Sequence, residues 1–293
     1  MGRFEVCSVC RQHAPVHITI LSAIAIIGIG VASGVLSALF GVGGAVLTTP
    51  GVRLLGLSPI LSVGSTIPAI LPGAVTGSAR FNREGLISWR IGLVCGTSGA
   101  AFAIAGAMVS DHVNAHLLMV LTAGLLLFSG IQAALPKPAS LGDAPMPSGE
   151  AASRASATIV RETGPSPATA ISSGRLVLVG SAAGFVAGLL GVGGGIVLVP
   201  AFTGLLHLRQ KEAVASSLVA VAIFSVPALV THSILGHVDW AVALLLAVGV
   251  VPGARFGSHL TVSASDQSLR HLCGAFFVVL AIIYGGSELR ALL

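Results

Sequence analysis

Charge is scarce in this chain. Only 9% of its 293 residues are Asp, Glu, Lys or Arg, against roughly 25% in ordinary globular domains. That deficit cannot cover a water-facing surface, and with a mean hydropathy of +0.98 it excludes a soluble globular protein. None of the ten acidic residues falls inside a long apolar run, so a proton relay built on intramembrane carboxylates is excluded too. The four cysteines, Cys7, Cys10, Cys95 and Cys273, are too few and too scattered for a disulfide framework. Alternating segments of about ten residues are missing, which argues against an outer-membrane barrel. A short hydrophobic core with a small-residue cleavage site is missing at the amino-terminus, so no secretory signal is expected.

What is present are apolar runs of about 20 residues, the length that crosses a bilayer as an α-helix. The 15 Lys and Arg, which bring the net charge to +5, lie mainly between those runs. Orientation in a membrane accounts for them better than nucleic acid does, and no nucleic-acid partner is expected. The chain therefore reads as an all-α, polytopic membrane protein with the lipid bilayer as its solvent.

In order, residues 1–17 form a polar head and 18–135 a first transmembrane repeat. A Pro-, Ala-, Ser- and Gly-rich stretch at 136–174 reads as a flexible linker, and 175–293 as a second repeat. The first repeat predicts spans at 18–40, 60–79, 91–110 and 115–135. The second predicts 175–190, 213–235, 240–258 and 269–286, which makes about eight transmembrane helices in two homologous sets of four.

The duplication is visible in the residues themselves. Gly41, Val42, Gly43, Gly44 and Pro50 recur as Gly191, Val192, Gly193, Gly194 and Pro200, an offset of 150 (191 − 41). Further on the offset becomes 151: Ser65 pairs with Ser216, Gly85 with Gly236 and Trp89 with Trp240. Each glycine run interrupts an apolar stretch and frees backbone groups where there is no bulk water. Breaks repeated in two halves of a membrane protein point to a transport site. A helix restarting after such a break offers N–H groups and the positive end of its dipole to an anion. The candidate substrate-binding residues are accordingly Gly41, Gly43, Gly44, Gly191, Gly193, Gly194 and Gly195, with Ser65, Thr66, Ser216 and Ser217 as hydroxyl donors. Ser37, Thr48 and Thr49 lie close by in sequence. Pro50 and Pro200 are expected to fix the broken helices. Whether each half-helix runs on or turns back as a re-entrant hairpin, which would decide between parallel and inverted repeats, stays open.

Other motifs lead less far. The glycine runs lack the Lys-Ser/Thr of a phosphate loop and any βαβ context, so no nucleotide cofactor is expected. Cys7, Cys10, His13 and His17 carry zinc-type ligands, but without the usual spacer between ligand pairs; metal is not assigned. Gly96-Thr97-Ser98-Gly99 matches a pattern around the serine of rhomboid-type intramembrane proteases, yet small-residue packing accounts for it. His232, and His259 with Arg255, are the candidates the sequence offers for a coupling role in a proton relay, but they are read as interfacial, reaching towards headgroups. A rhomboid-like intramembrane serine protease and a membrane scaffold that transports nothing are the remaining alternatives, and a homo-oligomer is compatible with the sequence without being fixed by it.

Taken together, the two copies of G-x6-G-V-G-G-x5-P at Gly34–Pro50 and Gly184–Pro200 resemble the sulfite exporter TauE/SafE family. So do the hydroxyl pairs Ser65-Thr66 and Ser216-Ser217 and the Gly-x-x-x-Trp turns Gly85–Trp89 and Gly236–Trp240. The resemblance implies a multi-pass permease of the plasma membrane that exports small sulfur anions such as sulfite or organosulfonates. It supplies no catalytic residue, and no enzyme activity is expected.

Overall fold

The computed structural model describes residues 19–134 and 172–292, apart from 111, 114 and 192. The polar head with Cys7, Cys10, His13 and His17, and nearly all of the 136–174 stretch, lie outside the described residues. Every regular element among those described is helical. The first half holds α1 (Ile20–Phe40), α2 (Ala45–Leu54), α3 (Pro59–Arg83), α4 (Trp89–Ser110) and α5 (Ala115–Ala134). The second holds α6 (Ser173–Leu190), α7 (Gly195–Gly204), α8 (Gln210–Ile234), α9 (Trp240–Ser263) and α10 (Asp266–Leu292). Seven of these are long and apolar enough to cross a membrane; α5 contributes a shorter apolar stretch, Val120–Gln132.

The glycine runs end α1 and α6 in the same way. Gly41 and Gly191 adopt left-handed φ values of 70° and 63° and return their N–H groups to Ser37 O and Ala187 O. Only a residue without Cβ takes that conformation at no steric cost. Gly44 and Gly194 then open α2 and α7, again with positive φ. Pro50 and Pro200 sit inside α2 and α7, which continue through them. The break is thus made by the glycines, and the prolines act downstream of it.

The chain turns back at the first break. Gly44 lies against Ser33 and Ser37, and further along α2 Gly51 lies against Ile29. The contacts run in opposite directions along the two helices, so α1 and α2 form a hairpin with the glycines at its tip. The second break has the same start, with Gly194 against Ala183 and Ala187.

Helices of one half pack mainly on helices of the other. Small residues make the crossings, as lipid offers no hydrophobic drive between apolar helices and close backbone approach must supply the contact energy. Gly249, Gly253 and Gly257 of α9 meet Ile27, Val31 and Val35 of α1. Gly180, Gly184 and Gly188 of α6 meet Cys95, Gly99 and Ala103 of α4. Both registers ascend together, so α1 is parallel to α9 and α4 to α6. Gly64 of α3 lies against His237, just after α8, whereas Gly77 lies against Leu218 within it; α3 and α8 are therefore antiparallel. Gly92 and Gly96 of α4 meet Val219 and Ile223 of α8, a parallel register. The set α1, α3, α9 thus runs opposite to α4, α6, α8, and corresponding helices of the two halves point in opposite directions. Trp89 and Trp240, each about half exposed, begin α4 and α9 and so stand at opposite faces, as an aromatic belt requires.

Candidate substrate site

The two hairpin tips meet. Gly43 and Gly193 are in backbone contact, a Cβ on Gly43 falling 3.6 Å from Gly193 Cα, and Gly195 abuts Gly41 and Val42. Ile70 and Val221, near the mid-points of α3 and α8, close the sides at 3.1 Å from that Cβ. α3 and α8 are the most buried of the apolar helices. The sequence-predicted glycines of both halves are therefore gathered at one place in the core.

Their backbone is incompletely satisfied there. Gly195 N–H donates to Gly193 O, and the amides of Leu47, Thr48, Val197 and Leu198 turn back to Gly44 O and Gly194 O. No hydrogen-bond acceptor among the described residues faces the N–H groups of Gly43, Gly44, Ala45, Gly193 and Gly194, although all five residues are buried. Buried backbone donors are almost always paired, and two helix N-termini presenting such groups carry positive potential. With the tips touching, no solute fits between them until the hairpins part.

The four predicted hydroxyls tie the frame together. Asp239 N–H donates to Ser65 Oγ at 2.8 Å, and Ser88 N–H to Ser216 Oγ at 3.0 Å. These are corresponding bonds, each reaching from the turn of one half into the core helix of the other. Ser217 Oγ donates to Gly41 O at 3.0 Å and to Val214 O, while Thr66 Oγ1 donates to Val63 O at 2.8 Å. In this conformation all four bind backbone.

The first hairpin carries further hydroxyls. Ser33 Oγ donates to Gly44 O at 2.6 Å. Ser37 Oγ and Thr49 Oγ1 are buried and have no hydrogen-bond partner among the described residues. Sequence reading placed both residues near the site by proximity alone; their isolation is visible only in three dimensions. A separate cavity of about 30 Å³ lies beside the C-terminal half of α7, with Ser129, Gln132, Thr203, Gln210 and Arg270 in its lining.

One expectation changes. His232 is fully buried, not interfacial: its ring lies 3.3 Å from Gly188 O and 3.3 Å from the ring of His237. Close packing of α6 on α4 and α8 seals it away from headgroups. His259 and Arg255 are exposed as expected. The Ser98 hydroxyl donates to Cys95 O within its own helix, where α4 packs on Gly180. Among the described residues no three His, Cys, Asp or Glu gather as metal ligands.

Paired helical hairpins buried tip to tip within a bundle of apolar helices define a polytopic membrane protein with internal duplication. The family model described as "Sulfite exporter TauE/SafE" matches residues 26–284, and the chain belongs to that family. It is similar to "Probable membrane transporter protein YunE" of Bacillus subtilis (strain 168), 25% identical over 248 residues that cover 82% of this chain and 87% of the relative. It is also similar to "Probable membrane transporter protein" of Xylella fastidiosa (strain 9a5c), 28% identical over 268 residues covering 90% and 95%. A third relative, "Probable membrane transporter protein MJ0441" of Methanocaldococcus jannaschii, is 22% identical over 271 residues. No solved structure matches. Family and relatives together make this a multi-pass membrane transporter.

Proposed function

We propose that the protein exports a small sulfur oxyanion, sulfite or an organosulfonate, across the plasma membrane by alternating access. The anion binds where the two hairpin tips meet. One observation carries the reading: among the described residues, the buried N–H groups of Gly43, Gly44, Ala45, Gly193 and Gly194 have no acceptor. Such donors at helix N-termini suit an oxyanion, and a site between oppositely directed repeats suits alternating access by rocking one half against the other. Gly41, Gly191 and Gly195 set the shape of the tips, and Ser65, Thr66, Ser216 and Ser217 hold them in position. Ser37 and Thr49 add hydroxyl donors when the hairpins part.

The test is flux from proteoliposomes loaded in turn with sulfite, an alkanesulfonate, sulfate and chloride. Efflux of sulfite or sulfonate well above protein-free vesicles is expected. No movement of any of the four would leave the scaffold reading in its place.

A further inference from the structure

The cavity beside α7 gathers polar side chains from four helices. α7 contributes Val199, Pro200 and Thr203, α8 opens with Gln210, Ser129 and Gln132 stand near the end of α5, and Arg270 lies in the second turn of α10. Two of the polar groups are already committed to the backbone. Thr203 Oγ1 donates to Val199 O at 3.0 Å. Ser129 Oγ donates at 3.0 Å to Ile196 O, the carbonyl that Pro200 cannot serve because it has no N–H. Gln132, Gln210 and Arg270 are left to face the cavity. Gln210 is only 7% exposed, yet its amide makes no hydrogen bond to a described residue. Buried amides are paired as a rule. The space they border measures about 30 Å³, and a water-sized group needs about 10–15 Å³. It therefore takes two or three such groups, about the oxygens of one sulfite or sulfonate head.

The fold does not ask for this lining. The offset of 151 relates Gln210, Arg270 and Gln132 to Pro59, Met119 and Ile283. That offset holds in α5 and α10, where Leu118 and Leu126 are buried as Leu269 and Phe277 are. A polar cavity at one face, with apolar residues at the corresponding places of the other half, gives the two faces different work.

Charge identifies the face. Arg80 and Arg83 end α3, Arg90 opens α4, Arg175 lies at the start of α6 and Lys211 follows Gln210, all on the cavity's side of the membrane; Arg53 stands on the other. The Lys211 N–H donates to Asp266 Oδ1, which ties down the carboxylate one turn before Arg270. Such an excess of Lys and Arg marks the cytoplasmic side and raises the local concentration of anions. An exported anion starts from there.

Val199 stands between the cavity and the tips: it lines the one, and its Cγ2 lies 3.0 Å from the place of a Cβ on Gly41. We infer that the cavity is the cytoplasmic loading site, where Arg270 and the amides of Gln132 and Gln210 hold an oxyanion before α7 moves and passes it to the tips. This rests on the proposed export function.

The test measures half-saturation from each side. In everted membrane vesicles, whose cytoplasmic face is outermost, Arg270→Gln should raise the half-saturating sulfite concentration at least tenfold, and Gln210→Leu at least threefold. In right-side-out vesicles both variants should stay within twofold of wild type. Half-saturation unmoved in everted vesicles, or moved as far in right-side-out ones, overturns the loading site whatever the maximal rate does. A second readout needs no flux. In glutamine-¹⁵N-labelled protein in phosphate-free detergent, sulfite should shift the side-chain amide of Gln210 in wild type and not in Arg270→Gln. If no anion of the panel moves but this resonance shifts, the export reading fails and the oxyanion site stands. Flux with the resonance unmoved overturns the site and leaves export in place. A shift produced only by added phosphatidylglycerol assigns the cavity to a lipid phosphate and overturns the loading role.

Discussion

The two hairpins share one backbone and differ in chemistry. Around its tip the first carries Ser33, Ser37, Thr48 and Thr49; the second carries Ala183, Ala187, Leu198 and Val199 at the corresponding places. The glycines, the prolines and the left-handed φ values are kept in both. What both halves retain is therefore what makes the tip: a broken helix whose glycine amides lack acceptors among the described residues. What differs is the side-chain supplement, hydroxyls in the first half and the histidine pair in the second. The difference teaches that a near-symmetric frame can carry unlike side chains, with hydroxyls along the first hairpin where the second is apolar.

The largest expected effect falls on the shared part. Gly43→Leu and Gly194→Leu should each abolish export while the protein still inserts and purifies. Both sites have positive φ, and an added Cβ on Gly194 meets Ala183 O at 2.7 Å. Normal transport by both variants would remove the tips from the site. Next come the supplements. Ser37→Ala and Thr49→Val give the first hairpin the second's residues and should lower sulfite flux about tenfold each, the worth of one hydrogen bond to a charged group. The reverse exchanges, Ala187→Ser and Val199→Thr, should change flux less than about twofold, as the paired donors of the other hairpin remain in place. Equal effects from the two sets would break the comparison.

Stability effects are smaller and should respect the symmetry where it holds. Ser65→Ala and Ser216→Ala each leave a partly buried N–H of the other half without its acceptor, at a cost of about 1–3 kcal/mol. Thermal unfolding in detergent should show the two variants alike. Ser33→Ala should cost about 1 kcal/mol in the same assay. That bond to Gly44 O exists in the first half, whereas in the second the corresponding position, 183, is already alanine. An unchanged melting temperature would assign Ser33 no role in holding the tip.

Much of the fold was legible because lipid leaves the backbone few options. The predicted spans at 18–40 and 91–110 become α1 (Ile20–Phe40) and α4 (Trp89–Ser110), since apolar length and glycine position decide both ends. The break at Gly41–Gly44 was readable for the same reason. Direction was not: residues 45–54 are helical whether the chain runs on or folds back, and only Gly51 against Ile29 shows the return. Nor does local pattern reveal that α1 pairs with α9 and α4 with α6. These contacts cross from one half to the other, where the four-residue spacing of glycines names one surface and not its partner. His232 misled for a related reason. Its place near the end of a helix suggests an interface, whereas burial depends on neighbours far off in sequence.

The most direct measurement is of the amides themselves. In glycine-¹⁵N-labelled protein in bilayers, sulfite should shift the amide resonances of Gly43, Gly44, Gly193 and Gly194, with saturation at the concentration that half-saturates flux, and glycines such as Gly56 and Gly236 should not move. Saturating transport with those four resonances unmoved would contradict an anion held by the hairpin tips.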